Sequence, residues 1–523
     1  MKIRNRQDAK DAEDARGDME LLKLNQRKRN VNWLRLLVVS TLLVVLLRLP
    51  AVAATARHYT QLTFEPLPEV KVPKYSRYVM DNGMVVYLME DHELPLIGGT
   101  AIIRTGDRFE PANEVGLASL TGTVMRTGGT QKHSADELNQ LLEQRAASVE
   151  TEIGDSSGSA SFNALSEDSE MVLDLFAEVL RSPKFAQDKL DLAKTQLQGD
   201  IARRNDEPDN IAAREFQKLI YGKESPYART VEYATLDNIA REDLVEFYGQ
   251  YFHPNNMILG IVGDFDSAKM RSLIQKQFGD WKSSRNLPKP ELPSVSQAKK
   301  GGIFLVNQPQ LTQSNVQIGH LGGEFNSPDY PALDVLNGVL NGFGGRLFNS
   351  VRSRQGLAYS VYGAWSPRFD YPGVFVAAGQ TRSEATVPFI KSIQAEIKSL
   401  QSQPVTPAEL AYAKDSVLNS FVFNFENPSQ TLSRLMRYEY YGYPADFLFR
   451  YQRAVEATTA ADIQRVAKTY LKPENLVTLV VGNAAAISPP LTQLATQVTP
   501  IDITIPSPKP SVTNSPVRPV SGK

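Results

Sequence analysis

Few residues in this sequence are typed and spaced for bond-making chemistry at one place. Of the five histidines, His58, His92, His133, His253 and His320, the closest two are 34 positions apart. No helix can therefore present two imidazoles at i and i+4, and the local route to a zinc site is closed. There is no cysteine, which excludes disulfides, thiol nucleophiles and thiolate-bound zinc. Ser119 sits in no Gly-x-Ser-x-Gly elbow and has no histidine near it in sequence, so it does not read as a nucleophile. The glycines from Asn341 to Arg346 suggest a phosphate cradle, but no Lys-Ser/Thr follows. They read instead as a turn between two helices or a loop over a binding site. The tyrosines of residues 436–443 lack a basic flank for nucleobases and are assigned to packing. From the residues alone, Arg352 and Tyr359 read as a helix-end arginine and a strand tyrosine in ordinary packing. The Arg-x(6)-Tyr spacing by itself is a weak signal, although a guanidinium and a phenol can both donate hydrogen bonds to a carbonyl or its oxyanion.

The elements that must position these groups belong to an ordinary globular chain. It has 523 residues, 42% hydrophobic and 22% charged, with a formal net charge of −1. That length suits more than one domain. The charge balance supplies no global field for nucleic acid or acidic polymers. Residues 1–56 read as a targeting segment. Basic residues Lys23, Arg27, Lys28 and Arg29 precede an apolar run over 33–47, and small residues of the kind signal peptidase accepts follow. The apolar core is short for a full span, so a cleaved signal and a membrane anchor through residues 33–47 both fit. Either one exports the protein to a periplasm or comparable lumen. Residues 500–523, rich in Pro, Ser, Thr and Val, read as a disordered tail.

An internal repeat divides the middle. Tyr251, Pro254, Asn256, Val262 and Gly263 recur 219 positions later as Tyr470, Pro473, Asn475, Val481 and Gly482. Leu190, Ala193, Lys194 and Pro208 recur 220 positions later as Leu410, Ala413, Lys414 and Pro428, and Gly122 finds a weaker match in Gly338. Three matches in one order at nearly one offset indicate a duplicated domain of about 220 residues, too long a period for a solenoid. The halves run over residues 67–281 and 301–485, joined by a polar, Pro-rich linker at 282–300. Asn82-Gly83 predicts a hairpin. Hairpins and long helices in blocks, without strict strand–helix alternation, predict an α+β fold.

Residues 116–130 read GLASLTGTVMRTGGT, where the M16 (pitrilysin/insulinase-like) metallopeptidases carry GLAHFLEHMxFxGT. With the hairpin, Thr105-Gly-Asp-Arg-Phe-Glu110, Gly344-Gly-Arg-Leu-Phe348 and Arg352-x(6)-Tyr359, the chain resembles that family over nearly all of residues 67–485. The resemblance implies two similar α+β halves facing each other across a peptide chamber, as in processing peptidases. In the family, His-x-x-Glu-His holds zinc and supplies the base. Here the two histidine positions are Ser119 and Thr123, and the base position is Gly122. The third-ligand position falls on Asp200, and its supporting Glu position on Ala193. Hydroxyls and one carboxylate do not hold a catalytic zinc.

The resemblance therefore implies a non-catalytic subunit, with no cofactor of its own and zinc in a partner. The zinc-bearing partner would be a homologue in a heterodimer; self-association as a homodimer is the other assembly left open. The chain would bind extended peptides and lend Arg352 and Tyr359 to the partner's active site. The alternative is a structural scaffold or a peptide-holding protein of the same fold. A peptidase with relocated ligands is the third reading.

Overall fold

The computed structural model describes residues 72–288 and 291–508. The targeting segment at 1–56 lies outside the described residues. Among those described, no helix is long and apolar enough to cross a membrane.

The first half opens with the hairpin that Asn-Gly predicts. Gly83 adopts φ +85°, and its N–H donates to Met80 O at 2.8 Å. This turn joins β1 (Ser76–Val79) to β2 (Val85–Glu90). With β3 (Leu96–Ile103), β4 (Ser148–Ile153), β5 (Gly158–Leu165) and β6 (Met257–Gly263) they form one sheet in the order β1-β2-β6-β3-β5-β4. Among the described strands of this sheet, only β2 and β6 pair in parallel. The helices of this half are α1 (Leu117–Thr127), α2 (Ala135–Glu143), α3 (Ser169–Arg181), α4 (Gln187–Arg203), α5 (Pro208–Tyr221), α6 (Tyr233–Asn238), α7 (Arg241–Tyr251) and α8 (Ser267–Phe278). One face of the sheet buries Val86, Leu88, Ala101 and Ile103 against Leu120 of α1 and Phe176 of α3.

The second half repeats the plan. Its strands are β7 (Ile303–Asn307), β8 (Gln313–Leu321), β9 (Ala358–Ser366), β10 (Val374–Arg382), β11 (Val477–Gly482) and β12 (Val498–Pro500), in the order β12-β7-β11-β8-β10-β9. Its helices are α9 (Tyr330–Leu340), α10 (Thr386–Ser402), α11 (Pro407–Phe421), α12 (Pro428–Tyr441), α13 (Phe447–Ala457) and α14 (Ala460–Tyr470). The two sheets correspond strand for strand, β7 to β2, β11 to β6, β8 to β3, β10 to β5 and β9 to β4. Only the outer place differs. There β12, from the end of the described chain, runs parallel to β7 where β1 runs antiparallel to β2. The fold is thus α+β in two similar halves.

What the repeat does not reveal is that the halves exchange helices. Pro208 and Pro428 each start a helix with an apolar stripe, and each stripe is buried on the other half's sheet. Ile211, Phe216 and Ile220 of α5 pack on Val306, Leu479 and Val481 of the second sheet. Leu432, Leu435 and Met436 of α12 pack on Tyr87, Met89 and Ile258 of the first. A polar seam closes the junction. Arg108 pairs with Asp370 at 2.5 Å, and the Tyr440 and Tyr441 hydroxyls donate to Ser156 O at 2.6 Å and Ser156 Oγ at 2.8 Å.

The stretch expected to leave the fold at residue 500 stays on it through the described residues. Ile501 N–H donates to Leu305 O at 2.9 Å, and Ile503 O accepts from Asn205 Nδ2 at 2.7 Å. The cause is an alternation hidden by the polar composition. Ile501 and Ile503 pack on the α5 side, and Ile505 on the first half's core.

Candidate functional site

Helix α1 carries the region where the chemistry was expected. Gly116, at φ +109°, turns the chain into the helix, a conformation a side chain would strain. The buried Glu110 carboxylate accepts from Gly116 N–H at 3.0 Å and Ala118 N–H at 2.9 Å, placing an anion on the helix N-terminus. Burial pushes its pKa up to about 7, against the pull of those two donors. Neighbouring Asp107 is pushed up to about 6 by burial and by the charge of Asp155.

The other side of α1 is pressed onto β4, an edge strand. A Cβ placed on Gly122 would lie 2.6 Å from Ile153 N and 2.8 Å from Glu152 C. Thr151 Oγ1 donates to Gly122 O at 2.6 Å, and Arg126 Nε donates to Val149 O at 2.7 Å. Two side-chain bonds therefore clamp helix to strand where the family places its base. Position 122 is closed as well as empty.

The remaining positions of the zinc motif do not complete a metal site. Ser119 and Thr123 are half-buried hydroxyls. Helix α4 packs against α1, which brings the helix bearing Asp200 beside them. Asp200 itself is mostly exposed and pairs with Arg203 at 3.3 Å. Ala193, at the supporting position, is buried in the core, where a carboxylate would be costly. Among the described residues no group of three or more His, Cys, Asp or Glu converges as a metal site. The residues present do not fit zinc.

The structure does bring Arg352 and Tyr359 together. After the glycine run the chain makes a π-helical turn, Phe348–Arg354, a geometry often associated with functional positions. The Arg352 guanidinium lies 4.8 Å from the Phe348 ring centre and 4.9 Å from that of Tyr359. Phe343 meets Phe348 edge-on at 5.0 Å. Tyr359 is 83% exposed and Phe343 80%, so the ladder faces solvent. Tyr359 stands on β9, which pairs only with β10 among the described strands and so presents a free edge. The glycine loop is held as a turn. Arg346 forks onto Glu409 at 2.7 and 3.2 Å, and Glu409 also caps α11. That guanidinium pulls the Glu409 carboxyl down to about 2.

A cleft that the sequence did not announce adjoins β9. It has a volume of about 430 Å³ between the start of α5 and the second sheet, and is lined by Asp209, Ser360, Tyr362 and Gln380 among others. Gln380 Nε2 bridges it by donating to Asp209 at 2.9 and 3.1 Å. Finding it requires knowing that α5 crosses to the other half.

Two corresponding six-stranded halves, each lending a helix to the other's sheet, define a duplicated two-domain α+β architecture. Comparison with known proteins agrees. The family model described as "Insulinase (Peptidase family M16)" matches residues 100–232. The model described as "Peptidase M16 inactive domain" matches residues 238–417. Together they cover more than half of the chain, which belongs to the M16 family. The chain is 24% identical over 362 residues to the "uncharacterized zinc protease YmxG" of Bacillus subtilis, covering 68% of this chain and 86% of that protein. It is 22% identical over 431 residues to the "non-peptidase homolog YmxG" of Helicobacter pylori, covering 81% and 94%. Among solved structures, the M16 inactive domain from Pseudomonas fluorescens superposes with a TM-score of 0.72 at 23% identity, covering 80% of this chain and 99% of that one. A protease from Helicobacter pylori gives 0.69 at 21%, covering 78% and 100%.

Proposed function

We propose that this chain is a non-hydrolysing M16 subunit that binds extended peptides and completes the active site of a zinc-bearing homologue. The observation that carries the proposal is the closed seam between Gly122 and β4, combined with a motif that lacks both histidines and the base. A water-activating site needs three metal ligands and a carboxylate base, and neither requirement is met. The peptide-binding side rests on the Arg352–Tyr359 stack, which is exposed beside a free strand edge and an inter-half cleft. A strand edge offers main-chain hydrogen bonds to an extended peptide, and the guanidinium and phenol offer donors for its carbonyls. Export to a periplasm or comparable lumen is part of the proposal and rests on residues 1–56.

The test is zinc content and peptidase activity of the purified chain, alone and mixed with a His-x-x-Glu-His homologue from the same source. The expected result is no zinc and no activity alone, with activity in the mixture that Arg352→Ala reduces. Stoichiometric zinc and hydrolysis by the isolated chain would overturn the proposal. Stable assembly without any effect on the partner's activity would favour a scaffold.

A further inference from the structure

The second half holds a cavity without a counterpart at the zinc-motif seam. Helix α9 is the counterpart of α1, and α11 of α4. The seam between α9 and β9 is closed, as that between α1 and β4 is, here by Asn337 and Asn341 bonding the β9 backbone. Gly338 faces α11 instead, where a Cβ would lie 3.0 Å from Ala413 Cα. A cavity of about 590 Å³ lies between α9, α11, α12 and α13, with Gly338 and Ser420 in its lining. That volume is within the usual range for small-molecule sites.

The lining is aromatic on one side and rich in donors on the other. Phe325 stacks on Phe369 with ring centres 4.6 Å apart, and Tyr330 on Tyr451 at 5.3 Å. Opposite them stands Arg434, whose side chain donates to the neutral Asn424 amide. Arg437 lies at the exposed mouth. Neither arginine forms an ion pair with a carboxylate among the described residues. Burial lowers the Arg434 pKa, and the like charge of Arg437 adds to that. The one acid in the lining, Asp334, already accepts from the Tyr451 hydroxyl and, at 3.0 Å, from Asn337 Nδ2. Asn337 and Asn341 are used up on the β9 backbone. Apart from hydroxyls, the free polar capacity of the lining is therefore that of the two guanidinium groups, and it is positive.

We propose that this cavity binds a small organic anion, a single oxyanion on a flat aromatic body, with Arg434 and Arg437 on the oxyanion and the stacked rings on the body. A guanidinium fork matches a carboxylate, sulfonate or phosphate, and charge-assisted bonds of this kind are the strong ones. The site is independent of the Arg352–Tyr359 ladder and of any partner.

The experiment is calorimetric titration of the full chain with 2-naphthalenesulfonate, beside 2-naphthylmethylammonium as the cationic match. One sulfonate is expected to bind per chain, with the ammonium compound at least tenfold weaker. Arg434→Gln should weaken the sulfonate at least tenfold, and Ser416→Trp at the rim should block it. Arg437 and Ser416 are exposed, so Arg437→Gln and Ser416→Trp carry the test if Arg434→Gln fails to fold. Absence of saturable sulfonate binding at millimolar concentration would overturn the proposal. So would equal affinity for the ammonium compound, or binding that the foldable variants leave unchanged.

Discussion

Gly122 of α1 and Ile153 of β4 meet so closely that a Cβ on the glycine would sit 2.6 Å from the strand's backbone nitrogen. In an open helix Gly→Ala gains about 1 kcal/mol from helix propensity. Here the added methyl must displace backbone, an overpacking cost of about 1–3 kcal/mol, and strain the Thr151 bond to Gly122 O. Gly122→Ala is therefore expected to lower stability by about 1–2 kcal/mol in urea unfolding. A more stable variant would show that the strand is not pressed on the helix. The same contact predicts that the triple variant S119H/G122E/T123H fails to gain a zinc site, as read by metal analysis after dialysis.

Asp107 gives a pH dependence with a defined sign. Its folded pKa of about 6 lies above the ordinary carboxylate value of 3.8. In that window the folded protein holds the extra proton, so its stability contribution is complete below pH 4 and is lost as pH rises through 6. Asp107→Asn should remove this loss. The stability of the variant relative to the parent is expected to rise by roughly 2–3 kcal/mol between pH 4 and pH 8. Using the difference cancels opposing groups such as buried His320, whose pKa burial lowers. Denaturation at four pH values in that range checks it, and a flat difference would refute it.

Arg352 and Tyr359 predict a separation of stability from function. Tyr359 is 83% exposed, and the stack is a surface cation–π contact worth about 0.5–1 kcal/mol. Arg352→Ala and Tyr359→Phe should each lower stability by no more than about 1 kcal/mol in denaturant unfolding. Both should weaken binding of an unstructured peptide, measured by fluorescence anisotropy, by roughly tenfold for the arginine and less for the phenol. A large loss of stability with unchanged peptide binding would assign the pair to packing.

Much of this was legible in the sequence, for physical reasons that differ by residue. Asn82-Gly83 names its turn because few residues accept φ +85°. The Tyr251 and Tyr470 repeats announce equivalent strands because a Pro turn followed by an apolar run ending in Gly has few other uses. The closure at Gly122 was not legible. A glycine in a helix signals only a missing side chain, and the strand that occupies the space lies 30 positions away in sequence. The packing of Ile501 and Ile503 was hidden by the surrounding Pro, Ser and Thr. The apolar stripes of α5 and α12 say that each is buried but not on which sheet, because periodicity carries no information about the partner surface.

That last ambiguity leads to a prediction about the whole chain. Each crossing helix sets a large side chain into a glycine notch on the opposite sheet. A Cβ on Gly260 would lie 2.2 Å from Met436 Sδ, and one on Gly319 would lie 2.9 Å from the Phe216 ring. Separating the halves would expose Ile211, Phe216, Leu219 and Ile220 together with the sheet faces they cover. At about 1.5–3 kcal/mol for each large apolar side chain, that amounts to roughly 6–12 kcal/mol, comparable to the entire stability of a domain. Neither residues 72–290 nor residues 291–508 should therefore fold alone, although each contains a complete six-stranded sheet's worth of strands. Expressed separately, the fragments are expected to lack a cooperative thermal transition by circular dichroism. Mixed from denaturant at equimolar ratio, they should recover one transition at a concentration-dependent midpoint. A fragment that unfolds cooperatively by itself would mean that the exchanged helices decorate two independent domains and do not hold them together.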